Sequence, residues 1–425
     1  MSISITPKKI SGEVLVPPSK SMAHRAIICA SLARGRSVIT NIEYSKDIQA
    51  TISAMKAMGT MIFEHDDYLE IDGTTTFIRH QYDIDCCESG STLRFMVPIS
   101  IVCEANVHFT GEGRLGKRPL DVYYNIFEKQ KIPYLYKENV LDLYIRGQLH
   151  GGEFEIPGDV SSQFISGLMF ALPLMDEDSV ITITSPLQSL GYIDLTLQML
   201  KQYGIEIENR NYEKFIIRGG QQYHPCDYQV EADFSQAAFY LVAGALNNDV
   251  VLKGLNLNSA QGDKAAIDIL ENMGCVLEER ENGYCMTSTH LKAVDIDGSQ
   301  CPDIIPVIAL ACALSEGTST IHHIERLRIK ECDRLSATVE VINQFGGKAI
   351  EKEDSMIIEG VTQLNGGQVS SYNDHRMAMM EAIASTVSQN NVIIDNKDCV
   401  KKSYPSFWEH FAQLGGVIDE CNMGE

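Results

Sequence analysis

Four stretches of this sequence gather cations beside hydroxyls and acids in patterns suited to small anions. The first is Pro18-Ser19-Lys20-Ser21-Met22-Ala23-His24-Arg25. Lys20 opens a helix-like run there, and Arg25 lies about one helical turn beyond Ser21, so both could serve one anion. The second is Arg328-Ile329-Lys330-Glu331-Cys332-Asp333-Arg334, with three cations and two acids in seven residues. Such density usually marks a solvated, salt-bridged face. This one, however, follows the apolar run IIPVIALACAL and the strand-like STIHHI, and strand ends beside helix starts are where α/β proteins keep their ligands. In the third, Asn373-Asp374-His375-Arg376, a cationic fork and a titratable imidazole open a helix. The fourth, Asp398-Cys399-Val400-Lys401-Lys402-Ser403, contains Lys402, which by itself is uninformative.

The elements that carry these segments repeat. Ser19-Lys20-Ser21, Ser89-Gly90-Ser91, Ser161-Ser162-Gln163, Asp233, Asp303 and Asn373-Asp374 each precede an apolar helix-like run of similar length. Their starts, at 19, 89, 161, 233, 303 and 373, are 70 to 72 residues apart, so six units fill the chain. A strand-like segment follows each run, then a second helix-like stretch, a Gly and two further strands. Gly59, Gly204, Gly274 and Gly346 stand where a helix needs a left-handed C′ residue. Alternation in VITIT and FIIRG predicts strands half-buried against helices. The expected class is α/β throughout, with right-handed crossovers. A helix start needs only one capping side chain, yet several of these also carry Lys, Gln, His or Arg. Helix N-termini favour anions, which lets an acidic protein concentrate positive potential locally.

The chain is indeed acidic. Its 425 residues carry a formal net charge of −22, which argues against nucleic acid as a partner, since a phosphate backbone demands a basic face. With 44% hydrophobic residues, it is long enough for two or more domains. Twelve cysteines without a CxxC pair suggest reduced, mostly buried thiols rather than a disulfide framework or a zinc site. MSISITPKKI lacks the apolar core of a signal peptide, and no run approaches the roughly 18 apolar residues that span a bilayer. A cytoplasmic protein without metal, cofactor or membrane association is expected, and a monomer.

Taken together, the four segments resemble the 3-phosphoshikimate 1-carboxyvinyltransferases (EPSP synthases). The family segments PSKSxxxR, SSQF, RxKExDR, NDHRMAM and CxxKSxPxFW occur here in order, from Pro18 to Phe407. The resemblance implies two lobes, each of three βαβαββ units, an inverted α/β barrel architecture. It implies a C-terminal lobe of residues 1–18 and 231–425, an N-terminal lobe of 19–230, and an active site in the cleft between them. The implied activity moves the enolpyruvyl group of phosphoenolpyruvate onto the 5-hydroxyl of shikimate 3-phosphate.

Carried over residue by residue, Lys20, Ser21, Arg25, Ser161, Ser162, Gln163, Ser189, Asp303 and Lys330 resemble the shikimate 3-phosphate set. Lys20, Gly90, Arg118, Gln163, Arg334, Arg376 and Lys402 resemble the phosphoenolpyruvate set, and bidentate Arg suits both a carboxylate and a phosphate. Asp303, Glu331 and Lys20 are the implied catalytic residues. Asp303 corresponds to the acceptor of the hydroxyl proton and Glu331 to the donor to the methylene carbon. Carbon protonation of an enol phosphate creates an oxocarbenium-like centre, so one acid must arrive protonated and the other ionised. Glu331 lies between Lys330 and Arg334, which favours its ionised form. Three positions depart from the common pattern: Glu88 for Asn, Phe95 for Pro, and Arg326 for a substrate-binding Asn, so Arg326 receives no role.

Two other readings compete. A UDP-N-acetylglucosamine enolpyruvyl transferase shares the fold, but typical members carry a mobile loop with a cysteine, and GEGRLGKRPLD here has none. A non-catalytic sensor of phosphorylated metabolites would not need Asp303 and Glu331. No GxxxxGK[ST] loop is present, which argues against a nucleotide-dependent kinase.

Overall fold

The computed structural model describes residues 1–421. Their strands form six four-stranded sheets with one strand order: first and second parallel, then the fourth, then the third, both antiparallel. The sheet of Gly152–Ile156, Ser179–Ile183, Ile207–Arg210 and Lys214–Ile217 shows the plan in uninterrupted sequence. The helix Ser162–Ala171 joins its two parallel strands, because a parallel pair needs a crossover. The antiparallel pair that follows needs only a turn. Each 70-residue repeat is therefore one βαβαββ unit.

Three sheets borrow a strand from elsewhere in the chain. Ser11–Leu15 pairs with Asp249–Lys253, and Tyr228–Gln229 pairs with Arg36–Thr40, both in parallel. Ser2–Thr6 lies between Val392–Ile394 and Val417–Cys421, antiparallel to both. Ile3 and Ile5 point from it into the core, fully buried. As a result the chain divides into two compact units. Lys20–Val230 is continuous, whereas Met1–Ser19 joins the chain from Glu231 onward. Each unit owns three of the sheets.

In the discontinuous unit, the first helices of the three repeats are Phe234–Ala245, Ile305–Ala313 and His375–Ser385. Every residue of each is buried, and each helix packs on the other two. That explains why these runs read as apolar on all faces rather than as amphipathic. In the continuous unit, Gly90–Ser100 packs on Ser162–Ala171, and Lys20–Leu32 packs on Lys46–Ala57 and Leu190–Gln202.

Ser89, Ser161, Asp233 and Asp374 cap their helices, each accepting a backbone N–H of its own helix. Asp303 lies one residue ahead of the cap position of its helix. Its helix begins at Ile305, with Ile304 in the cap position and no side-chain bond. Pro306 in the first turn has no N–H to satisfy, and the Asp303 carboxylate is held by cations instead. The glycines expected after the second helices, Gly59, Gly204, Gly274 and Gly346, all have left-handed φ between 82° and 103°. All twelve cysteines are free, and eight are buried. No helix among the described residues is long and apolar enough to cross a membrane.

One core residue opposes stability. Glu381, on the helix His375–Ser385, is fully buried and neither carboxyl oxygen has a hydrogen-bond partner. Burial, with the nearby charges of Asp395 and Asp374, raises its pKa well above the ordinary 4.5. Below pH 4.5 the folded and unfolded chains are both protonated there. Above it the unfolded chain ionises while the folded chain keeps its proton, so stability is lost as pH rises toward the folded value. Glu381→Met removes this loss and an unpaired polar group that costs about 1–3 kcal/mol. Thermal unfolding should show a higher Tm for the variant, with a larger gain near pH 8 than near pH 5. An equal gain at both would mean that Glu381 is not protonated in the folded chain.

Candidate active site

In the continuous unit, helix starts from three repeats carry the polar residues. Lys20, first in its helix, donates to Asp47 at 2.8 Å, and Asp47 sits in the first turn of Lys46–Ala57. Arg25, one turn on, is 2% exposed. Its Nη1 donates to the Ser21 carbonyl at 2.7 Å, Nε to the Thr196 hydroxyl at 2.9 Å, and Nη2 to the Tyr192 carbonyl at 3.0 Å. The Phe95 ring centroid lies 5.3 Å from its guanidinium carbon. Phe95, which departs from the common family pattern, thus supplies a cation–π face. Burial lowers the Arg25 pKa to about 10. No carboxylate pairs with this cation among the described residues, an environment that favours an incoming anion. His24 beside it is neutral, its pKa pushed by burial to about 3.

Gly90, first in the next repeat's helix, is where three polar side chains converge. A Cβ there would lie 2.7 Å from Arg118 Nη1, 3.1 Å from Arg94 Nη1 and 3.8 Å from Gln163 Oε1. Glycine therefore leaves room in front of two guanidinium groups. Gln163, in the first turn of Ser162–Ala171, accepts from Arg94 at 2.8 Å and donates to the Ser91 hydroxyl at 2.8 Å. Ser161 caps that helix, and Ser162 is buried beside it. Ser189 is 1% exposed, with left-handed φ of 59°, at the entry to Leu190–Gln202. Glu88, the other departure in this segment, presses on Gly113, where a Cβ would overlap its Oε1 at 1.6 Å. Gly113 has φ 58° and lies in the loop leading to Arg118, so both backbone and contact require glycine.

In the discontinuous unit, the cations centre on Arg334, first in the helix Arg334–Gln344 and 1% exposed. Its Nε and Nη2 grip Asp374 at 2.7 and 3.2 Å, Nη2 also donates to Glu331 at 2.7 Å, and Nη1 to Asp303 at 3.0 Å. Asp374 is fully buried and also accepts the Arg376 N–H as helix cap. Asp303 further pairs with Lys330 at 3.1 Å and Arg376 at 3.5 Å. Burial alone would raise the Asp303 carboxyl, but Lys330, Arg376 and Arg334 outweigh it and hold its pKa well below the usual range. Burial likewise lowers the pKa of Lys330. Glu331 lies between Arg334 and Lys402, whose Nζ is 3.9 Å from its carboxylate. Arg376, 3% exposed, donates Nη1 to the Ser235 carbonyl at 3.1 Å, and its Nε has no partner.

The structure therefore brings the sequence-predicted residues together in two groups. One holds Gly90, Arg118 and Gln163, with Lys20, Ser21, Arg25, Ser161, Ser162 and Ser189 on neighbouring helix starts of the same unit. The other holds Asp303, Lys330, Glu331, Arg334, Arg376 and Lys402. Sequence reading overlooked four residues of these networks. Asp47 neutralises Lys20; Arg94 shares Gln163; Asp374 anchors Arg334. The fourth is Asp263, 3% exposed, which accepts the hydroxyl proton of Ser235, the residue whose carbonyl holds Arg376. Burial and the charge of Asp303 raise its pKa to about 6. Asp374 stood inside a segment already singled out, and Arg94 in the helix-like run that Ser89-Gly90-Ser91 precedes; nothing local marked Asp47 or Asp263. Arg326 is 8% exposed.

Comparison with known proteins follows the same lines. The sequence matches the family described as EPSP synthase (3-phosphoshikimate 1-carboxyvinyltransferase) over residues 5–411. Proteins named 3-phosphoshikimate 1-carboxyvinyltransferase from Clostridium beijerinckii and Clostridioides difficile are 54% and 50% identical, with 100% of both chains covered in each case. A solved EPSP synthase from Acinetobacter baumannii superposes with a TM-score of 0.82 at 25% identity, covering 99% of this chain and 100% of that one. The enolpyruvyl transferase NikO from Streptomyces tendae, 15% identical with a TM-score of 0.78 over 98% of each chain, shares the fold. With matching sequence along nearly its whole length and matching architecture, this chain belongs to the EPSP synthase family.

Proposed function

We infer that this chain transfers the enolpyruvyl group of phosphoenolpyruvate to the 5-hydroxyl of shikimate 3-phosphate and releases phosphate, a step in chorismate and aromatic amino acid biosynthesis. Full-length identity to proteins named for that reaction favours it over transfer to UDP-N-acetylglucosamine. The observation that carries the catalytic reading is the Asp303 carboxylate, surrounded by Lys330, Arg334 and Arg376.

We assign Lys20, Ser21, Arg25, Ser161, Ser162, Gln163, Ser189, Asp303 and Lys330 to shikimate 3-phosphate. Lys20, Gly90, Arg118, Gln163, Arg334, Arg376 and Lys402 are assigned to phosphoenolpyruvate. Asp303 accepts the hydroxyl proton, Glu331 donates to the methylene carbon, and Lys20 assists as a cation at the reacting groups. The low pKa of Asp303 makes it a weak base while three cations hold it. An anionic substrate that recruits Lys330 and Arg376 removes part of that bias, so the base strengthens as the site fills. Glu331 faces two cations, Arg334 and Lys402, for which phosphate or carboxylate oxygens would compete.

Three outcomes test this reading. Phosphate release from phosphoenolpyruvate should require shikimate 3-phosphate and should not occur with UDP-N-acetylglucosamine; the reverse dependence would overturn the acceptor. Arg376→Ala should raise the KM for phosphoenolpyruvate strongly while leaving shikimate 3-phosphate binding in a binary complex little changed. Equal weakening of both ligands would erase the distinction between the two residue sets. Asp303→Asn keeps the shape but cannot accept a proton, and Ile304, not Asp303, occupies the cap position of the helix. It should retain shikimate 3-phosphate binding with kcat lower by at least about a hundredfold. A variant retaining most of its kcat would move the base elsewhere, with His375, buried beside Asp374, the first to examine.

A further inference from the structure

Outside both clusters, one set of side chains has the chemistry of a metal site. Asp297, His322 and His323 each bring a ligand atom within 4.8 Å of the others. Asp297 ends the strand Asp295–Asp297 and His322 ends its parallel neighbour Thr318–His322, and the two are directly paired in register. Registered residues project from the same face of a sheet. His323 would point away if the strand continued, but its φ of 57° bends the chain. The bend brings its Nδ1 to 3.3 Å from Asp297 Oδ2 and its ring centroid to 4.9 Å from that of His322.

The repeats offer an internal comparison. Asn41 and Gly254 occupy the same position just past their strands and share the left-handed bend, with φ of 58° and 86°. The bend is thus a property of the scaffold, and it does not call for imidazole. Paired strand-end residues elsewhere include Ile156 with Ile183, Val369 with Ile394 and Leu15 with Lys253. In no other sheet does a carboxylate face an imidazole there.

We propose that Asp297, His322 and His323 form a binding site for a divalent transition metal ion such as Zn²⁺. Two imidazoles and one carboxylate are a borderline-soft set suited to zinc, cobalt or nickel. Ligand atoms around tetrahedral zinc, at bonds of about 2.0–2.1 Å, are about 3.3 Å apart. The His323–Asp297 pair already has that spacing, and His322 needs only a side-chain adjustment. The His322 ring is packed edge-on against the His323 ring, so a rotation about its side-chain bonds changes that contact while the backbone pairing stays in place. Ser299 N–H holds the other Asp297 oxygen at 2.9 Å and so orients the carboxylate. Asp297 and His323 are more than half exposed, which leaves room for water as the remaining ligand. The ion would pin the bend that leads through Glu325–Ile329 to Lys330, steadying the segment that carries the cations.

Co²⁺ titration followed by visible absorption tests the proposal. Its d–d bands report the site, and a thiolate charge-transfer band would reveal binding by cysteine instead. The full-length protein should take up one equivalent of Co²⁺ with d–d bands and no thiolate band, and Zn²⁺ should displace it. His323→Ala and Asp297→Asn should each abolish the signal, whereas His290→Ala, which removes another exposed imidazole beside a carboxylate, should leave it intact. All three positions are on the surface, and the variants should melt like the parent without metal. A signal that survives both site substitutions, or one dominated by thiolate bands, would overturn the assignment.

Discussion

The discontinuous unit is organised around one buried cation. Arg334 donates to Asp374, Glu331 and Asp303, three carboxylates supplied by different segments of two repeats. A guanidinium this deeply buried is tolerable only with its N–H groups satisfied and its charge matched. Removing one partner of such a network typically costs about 3–5 kcal/mol, because the remaining charge is left buried. The same requirement orders the neighbourhood: Asp374 must cap its helix while facing Arg334, and Asp303 must stay out of the cap position to face it as well. Structure and chemistry therefore share their groups here.

That sharing has a consequence for catalysis. Carboxylates held by cations are ionised and inert, and cations held by carboxylates are not fully available to anions. Asp303 sits at the balance point, held by Lys330, Arg334 and Arg376 together. Under the proposed assignment, anionic substrates would compete for those cations, so binding and activation of the base would become one event. In the continuous unit the balance differs. Arg25 is satisfied by carbonyls and a hydroxyl, with an aromatic face and no carboxylate among the described residues, so its charge is compensated by dipoles. A protein with net charge −22 thereby keeps a locally positive site without a basic surface.

The repeated scaffold explains how six similar units acquire different tasks. The strand order and the left-handed glycines after the second helices recur because backbone geometry demands them. Residues at the helix starts are freer, since capping needs only one side chain accepting one N–H. Ser161 and Asp374 both cap, yet the first borders Gln163 while the second anchors Arg334. Two chain crossings, after Ser19 and after Val230, let the N-terminal strands complete sheets whose other strands lie more than 200 residues away.

The six-fold period, the α/β class, the apolar helices and the four charged segments were legible in the sequence, because each follows from local residue pattern. Helix periodicity, capping and glycine placement act over a few residues, so spacing alone reveals them. Motif order carried the family as well. What local pattern could not supply was pairing between distant segments. Nothing near Asp47 announces Lys20, nothing near Asp263 announces Arg376 through Ser235, and the helical run after Asp303 gave no sign that its carboxylate would serve cations rather than a cap. The pairing of Ser11–Leu15 with Asp249–Lys253 is equally invisible, since a strand of that composition fits any parallel neighbour. Such choices belong to tertiary structure, where burial makes an unmatched charge or an unpaired sheet edge too costly to leave.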